Sequence, residues 1–412
     1  MTARRPVAAA IVLLLTATAA RSPSVPPPTP IGPAGSPSPF PTVLHTPADA
    51  IPTPSTSAPA AVLEDLDSGQ VLFARGADER RPVASVTKIM TAMLVLERLR
   101  LSATLTASPR AAAEPGATLG LEPGERMRVR DALYALLLAS ADDVAVALAE
   151  RVSGSVGAFV GLMNRRAAAL GLRHSRFGSP DGFDSVGFST ARDIASLTRV
   201  AMANPTFASI VRVKRASVRS RTGPLRVVQN RNVLLWLYRG AIGVKTGHTS
   251  AAGHCVVAAA ERNGVRLLAV VLGAPADAFS DAAALLNHGF AAFGPSTLAV
   301  LGGTLGTLSV GGRRVPVVVG ATLRALVPRS AHVRLVLREA PGLTAPVAAG
   351  ARVGTLTAYA GDRRLGSVPA VAGNTLAPTP TRSTRPLPAE AAVRTTIGVL
   401  DAFARSVFGG FL

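Results

Sequence analysis

The sequence predicts an α+β protein: a larger domain mixing helices and strands, then a small all-β domain toward the C-terminus. Three observations carry this. Ala61–Leu63, a polar turn through Asp67-Ser68-Gly69, and Val71–Ala74 read as a β-hairpin. Apolar residues recur at helical spacing after Ser85 and again through Asp131–Glu150. From about Thr304 to Ala372 the texture becomes β: Val315–Val319 is β-branched around Pro316, Val333, Leu335 and Leu337 alternate, and Val353–Tyr359 follows Gly350.

The size fits that division. The chain has 412 residues, more than one ordinary domain needs, and 48% are hydrophobic against 17% charged, so a sizeable core forms and wholesale disorder is excluded. A single cysteine excludes a disulfide framework and a cysteine-based zinc site. Lys plus Arg number 44 against 24 acids, a net +20 that suits an anionic partner: nucleic acid, lipid or an acidic wall polymer. Only Lys88, Lys214 and Lys245 are lysines, however, so a bias toward arginine explains the total, and the scatter of basic residues argues against a nucleic-acid arm.

Residues 1–20 read as a secretory signal, with Arg4 and Arg5 before the apolar Val7–Leu15 and small residues at Ala17-Thr18-Ala19. The apolar run is short for a membrane span, which needs about 20 residues. From Ser22 to Pro59 there are 13 prolines and one charge, Asp49, so residues 21–59 form an extended linker. The chain is expected to be exported.

Chemistry concentrates in three places. Ser85 opens a helical pattern, where unpaired N–H groups and the macrodipole stabilise negative charge. Lys88, one turn along the same face, supplies an amine that acts as a general base if desolvation keeps it neutral. Asp131–Glu150 reads as one helix broken by the polar Ser140-Ala141-Asp142-Asp143, and buried polar groups there need partners or a task. Ala241–Gly247 reads as a short strand ending in Lys245-Thr246-Gly247, followed by His248. A lysine and a threonine beside a glycine that admits close approach make a carboxylate site.

In this order, S-x-x-K, a second motif of S-x-N type and K-T-G form the signature of class A β-lactamases and penicillin-binding proteins. The chain resembles the low-molecular-weight penicillin-binding proteins that are D-alanyl-D-alanine carboxypeptidases, peptidase family S11. The resemblance rests on PVASVTKIMTAMLVLE around the first motif, Gly120–Ser140 leading into the second, Met163–Leu172, Ser179–Asp184 and Phe188–Leu197 after it, and Gly243–Ala260 at the third. It covers roughly residues 60–275 and implies a serine β-lactamase/transpeptidase-like catalytic domain, an antiparallel sheet with a helical part. It further implies acyl transfer on peptidoglycan stem peptides ending in D-Ala-D-Ala, with β-lactams as inhibitors. Ser85 would be the nucleophile, Lys88 the general base and Ser140 a proton relay. The N–H groups of Ser85 and His248 would form the oxyanion hole, and Lys245 and Thr246, beside Gly247, would hold the substrate carboxylate. No cofactor or metal is implied, and no nucleic-acid partner.

One residue departs from the family pattern. Asp142 stands where the family carries asparagine, and a carboxylate only accepts hydrogen bonds where an amide also donates. Beside Lys88 it would favour the ammonium, the wrong form for a base. The alternatives are thus a serine β-lactamase, or a weakly active or non-catalytic penicillin-binding wall protein. The six histidines show no metal-ligand spacing, and Cys255 in an apolar strand reads as core.

These readings give the expected organisation: a catalytic domain over residues 60–298, with Asp277–Phe293 a helix near its end, and an all-β domain over 304–372 that resembles the family's C-terminal domain. A linker at 373–388 leads to an amphipathic membrane-association helix at 389–412. In that helix Glu390, Arg394, Asp401 and Arg405 share one face, opposite Leu400, Phe403, Val407 and Phe411. Such a helix would place the protein peripherally on the outer face of the membrane.

Overall fold

The computed structural model describes residues 53–377. The signal segment, the proline-rich stretch through residue 52, and the tail from residue 378 with its linker and amphipathic helix lie outside the described residues.

The expected hairpin forms from β1 (Ala60–Asp65) and β2 (Val71–Arg75). A 3₁₀ turn, Ala84–Thr87, leads into α1 (Lys88–Arg98), so Ser85 lies in a tight turn ahead of the helix and its hydroxyl does not cap it. Next come β3 (Thr104–Thr106), α2 (Pro109–Ala112), β4 (Arg126–Arg128) and α3 (Val129–Tyr134). The break expected near Ser140 is a change of helix type. A π turn, Ala135–Ala139, ends at Ser140 in the left-handed region (φ 65°), and α4 (Asp142–Ser153) starts afresh.

The helical part is completed by α5 (Val156–Ala169), α6 (Ala191–Met202) and α7 (Pro205–Val211), each begun by a Ser, Thr or Asn side chain that accepts a backbone N–H. A separate hairpin, β5 (Arg215–Arg219) with β6 (Leu225–Gln229), and the short α8 (Leu234–Leu237) precede the three long strands β7 (Ala241–Thr249), β8 (Gly253–Arg262) and β9 (Val265–Ala274). The third motif was expected at a strand's end; β7 instead runs on through His248 to Thr249, paired along its length with β8. Then α9 (Ala278–Ala292) is capped by Asp277, whose Oδ1 accepts the N–H groups of Phe279 and Ser280.

The main sheet has the antiparallel order β2-β1-β9-β8-β7. Both faces are covered, which is why β9 reads as an unbroken apolar run. Leu268, Val270 and Leu272 pack with Ile89, Met90 and Leu94 of α1, while Leu267, Ala269 and Val271 pack with Leu285 and Leu286 of α9. Period-two alternation, normally a solvent-facing signal, here separates two cores.

Beyond α9 the described residues form only strands: β10 (Phe293–Ala299), β11 (Thr304–Val310), β12 (Arg313–Val319), β13 (Leu323–Pro328), β14 (Val333–Glu339), β15 (Arg352–Ala360) and β16 (Arg363–Ala372). Five of them form the antiparallel sheet β11-β12-β16-β15-β14, and β10 pairs with β13. The sequence boundary at residue 298 thus falls inside a strand. Phe293 was expected to end the preceding helix but opens β10, because its partner is Pro328, 35 residues on. At the hairpin turn the Gln70 side chain meets the backbone of Leu326 in both directions, donating to its O at 2.6 Å and accepting its N–H at 2.9 Å. Arg363 donates to the O of Val71 and lies over the Phe293 ring.

Candidate active site

Where β7, at the edge of the main sheet, meets the 3₁₀ turn and the start of α4, a cavity of about 460 Å³ is lined by Ser85, Ser140, Asp142, Arg231, Thr246, Gly247 and His248 among others. Two glycines allow the walls to approach. A Cβ on Gly247 would lie 3.0 Å from the Ser85 N, and one on Gly182 (φ 81°) would lie 2.0 Å from the Ala84 O. Ala84 itself takes a left-handed φ of 47°, which turns Ser85 toward the opening.

Lys88 is fully buried, with three oxygens around its Nζ. Nζ donates to Ser85 Oγ at 2.8 Å, to Asp142 Oδ1 at 2.5 Å and to the Asp181 O at 2.7 Å. Burial holds its pKa below the ordinary lysine value, outweighing the opposing pull of Asp142 and Asp181. Burial likewise raises the Asp142 carboxyl, against the pull of Lys88. The carboxylate feared from sequence to fix Lys88 as an ammonium is therefore opposed by desolvation. Both shifts favour the neutral pair, the state in which the lysine can act as a base.

The two acids of the second motif hold the same loop. Asp142 Oδ2 accepts the Ala117 N–H at 2.7 Å, while Asp143 accepts the N–H groups of Leu119, Gly120 and Leu121 at 2.9–3.1 Å. Asp143 is structural: it gathers the backbone of residues 119–121 around a buried charge. Ser140 Oγ is buried and, among the described residues, has no hydrogen-bond partner.

Lys245 is also buried, with Nζ donating to the Thr246 O at 2.8 Å. Burial, reinforced by Lys88 and Arg231, pulls its pKa well below the usual lysine value. It stands behind the cavity wall, whereas Thr246 lines the cavity and His248 sits exposed at its mouth, its ring 4.4 Å from that of His254. Cys255 lies buried in β8, and burial raises its thiol to about 11, consistent with a core residue.

Two contributors were missed from sequence. Arg231 brings a guanidinium into the cavity on a loop pinned at both ends. Asn230 donates to the O of Val211 and Val213, Asn232 Oδ1 accepts the Leu234 N–H, and the Arg231 N–H itself reaches the Leu138 O. The flanking asparagines of Asn230-Arg231-Asn232, residues that fix turns, were the available signal. Asp181 supplies the carbonyl that receives Lys88, and its loop is anchored to α1 by Thr91 Oγ1 donating to the Pro180 O at 2.5 Å.

A serine hydroxyl bonded to a desolvated lysine at a sheet edge, with a cationic cavity beside it, defines a serine acyl-transfer site. The comparisons agree. Residues 47–276 match the Peptidase_S11 family model, described as D-alanyl-D-alanine carboxypeptidase, and the chain belongs to that family. It is 38% identical over 271 residues to a Streptomyces D-alanyl-D-alanine carboxypeptidase, covering 61% of this chain and 93% of that one. It is 36% identical to the Bacillus subtilis carboxypeptidase DacF over 53% of this chain, but the match spans only 57% of that relative. The crystal structure of DacD from Francisella tularensis matches with a TM-score of 0.68 at 27% identity, covering 81% of this chain and 97% of that chain, C-terminal sheet included.

Proposed function

We propose that the chain is a serine-type D-Ala-D-Ala carboxypeptidase that removes the terminal D-alanine of peptidoglycan stem peptides through an acyl-enzyme on Ser85. The observation that carries this reading is the 2.8 Å contact between a buried Lys88 and the Oγ of Ser85, which lines a cavity with Arg231 and Thr246.

The substrate carboxylate binds Thr246 and Arg231, with Lys245 behind them. A negative charge there favours the protonated form of Lys245, which burial otherwise disfavours. Neutral Lys88 accepts the proton of Ser85 as Oγ attacks the carbonyl between the two D-alanines. The backbone N–H groups of Ser85 and His248 hold the developing oxyanion. The proton passes by way of Ser140 to the leaving nitrogen, the C–N bond breaks, and D-alanine departs. Water adds to the ester, Lys88 takes its proton, and the acid leaves with Ser85 restored. Asp142, an acceptor only, tunes Lys88 and positions residue 117 rather than donating to the substrate.

The reading extends to location and architecture. The chain works outside the cytoplasm at the cell envelope, exported by residues 1–20 and held on the outer membrane face by residues 389–412, with the C-terminal β part as a stalk. It also reacts with β-lactams. The test is release of D-alanine from a tripeptide ending in D-Ala-D-Ala, with Ser85→Ala as the comparison. Release that persists in Ser85→Ala, or none from the native protein, would sink the proposal.

A further inference from the structure

Away from the catalytic cavity, the β5–β6 hairpin and the junction of β4 with α3 border a groove of about 870 Å³. Five exposed arginines line it: Arg128 and Arg130 on one side, Arg215, Arg219 and Arg221 on the other. The lining holds one acid, Asp131, and its Oδ1 accepts the backbone N–H of Arg219. The scatter of arginines along the sequence thus becomes a cluster in space.

Within the fold Arg215 donates to Gln229 Oε1 at 3.0 Å and Arg130 lies over the Tyr134 ring, contacts that leave the charge of both uncompensated. Among the described residues none of the five forms an ion pair. Arg226 of the same hairpin, on its inner face, pairs with Glu125 at 2.5 Å. The contrast follows strand parity: Arg215, Ser217 and Arg219 project outward, while Val218 and Val228 are buried beneath. Alternate residues of a strand stand about 6.8 Å apart, so the backbone positions of Arg215 and Arg219 lie about 14 Å apart along one wall. A guanidinium matches a phosphate in a two-pronged geometry, and a concave surface of one sign concentrates the field inside it.

We propose that this groove binds an extended phosphodiester polymer of the cell wall. Its length and repeated charges suit a chain rather than a single anion, and its concavity suits a strand rather than the plane of a membrane. The hairpin runs from the groove directly into Asn230 and Arg231, so polymer binding would hold the catalytic cavity beside the wall without occupying it. The ligand class stands on the groove alone; only the choice of a wall polymer rests on the cell-envelope reading above.

The test uses the purified full chain and poly(glycerol phosphate) of defined length, followed by fluorescence anisotropy at low and high salt. The double variants Arg215→Gln/Arg219→Gln and Arg128→Gln/Arg130→Gln should each weaken binding about tenfold or more and flatten its salt dependence. Arg314→Gln/Arg338→Gln, which removes equal charge from exposed positions of the C-terminal sheet, should change it less than about twofold. Hydrolysis of a short D-Ala-D-Ala peptide should be unaffected in all three, which separates failure of the groove from failure of the catalytic reading. Equal weakening by the control pair would show net charge alone at work and overturn the site. Equally tight binding of poly-glutamate would overturn the phosphodiester assignment. Phosphatidylglycerol vesicles that bind through the same arginines and displace the polymer would reassign the groove to the membrane.

Discussion

Lys88 and Asp142 meet at 2.5 Å, Nζ to Oδ1, with side-chain exposures of 0% and 5%. A pair so buried is costly to break and informative to edit, because removing one partner strands the other's charge. Asparagine at 142 keeps the size and removes the charge. Lys88 then loses the partner that favours its ammonium, so its pKa falls further below the lysine norm.

A base works above its own pKa. Asp142→Asn should therefore move the acidic limb of the pH–rate profile to lower pH and raise hydrolysis on that limb about tenfold, or about 1.4 kcal/mol. A profile identical to the native one would show that Asp142 does not set the state of Lys88.

Ser85 is the one hydroxyl bonded to Lys88 Nζ among the described residues. Penicillin should add one adduct to the intact mass of the native protein and none to Ser85→Ala. An adduct retained by the variant would move the nucleophile elsewhere.

Arg231 was placed on the substrate carboxylate. Arg231→Gln should raise KM by a factor on the order of 10–100, the loss expected for a charged hydrogen bond of about 1.5–3 kcal/mol, with kcat changed far less. Peptides with an amidated C-terminus should be nearly indifferent to the substitution. Equal losses on acid and amide would mean that Arg231 serves the loop rather than the carboxylate.

Glu64, buried in β1, supplies a pH test of stability. Desolvation raises its carboxyl to about 7, and Oε2 has no hydrogen-bond partner among the described residues. The folded state thus binds its proton more tightly than the unfolded state does. Stability associated with that proton is complete below about 4.5 and is lost as pH rises through about 7. Glu64→Gln should match the native protein near pH 4 and exceed it at pH 8 by on the order of 3 kcal/mol. Denaturant midpoints across that range give the comparison, and parallel curves would refute the buried-proton account.

Gly182 approaches the Ala84 O with a positive φ, so its Ala variant meets both a collision and a backbone penalty. Gly182→Ala should lose most activity while retaining the helical signal. Native turnover in that variant would show that the 181–183 loop does not set the position of Ser85.

What could be read from the sequence was what short-range pattern encodes. The β1–β2 hairpin, the helix after Ser85 and the break at Ser140 each lie within one window of periodicity, and residue types marked Ser85, Lys88 and Thr246 as chemically apt. What escaped depends on distant partners. Arg231 reaches the cavity only because its backbone bonds to Leu138, and β10 is a strand only because β13 lies beside it. Lys245 looked like a cavity lysine, yet its retreat behind Thr246 is a matter of burial that spacing does not encode. Asp142 stood out in the sequence for its charge, but desolvation, the opposing effect, is a property of the folded interior.

The paired hydrogen bonds between Gln70 and Leu326 determine where mechanical load goes. They join the C-terminal β part to the turn beside β2, one edge of the main sheet, whereas Ser85 faces β7 at the other. Strain passing through these two bonds meets that outer edge first and must cross β1, β9 and β8 to reach β7, whereas strain carried by the chain itself enters through α9. Along the first path three strands stand between the loaded edge and the serine turn, much as a chisel's shank stands between its edge and the play of its handle.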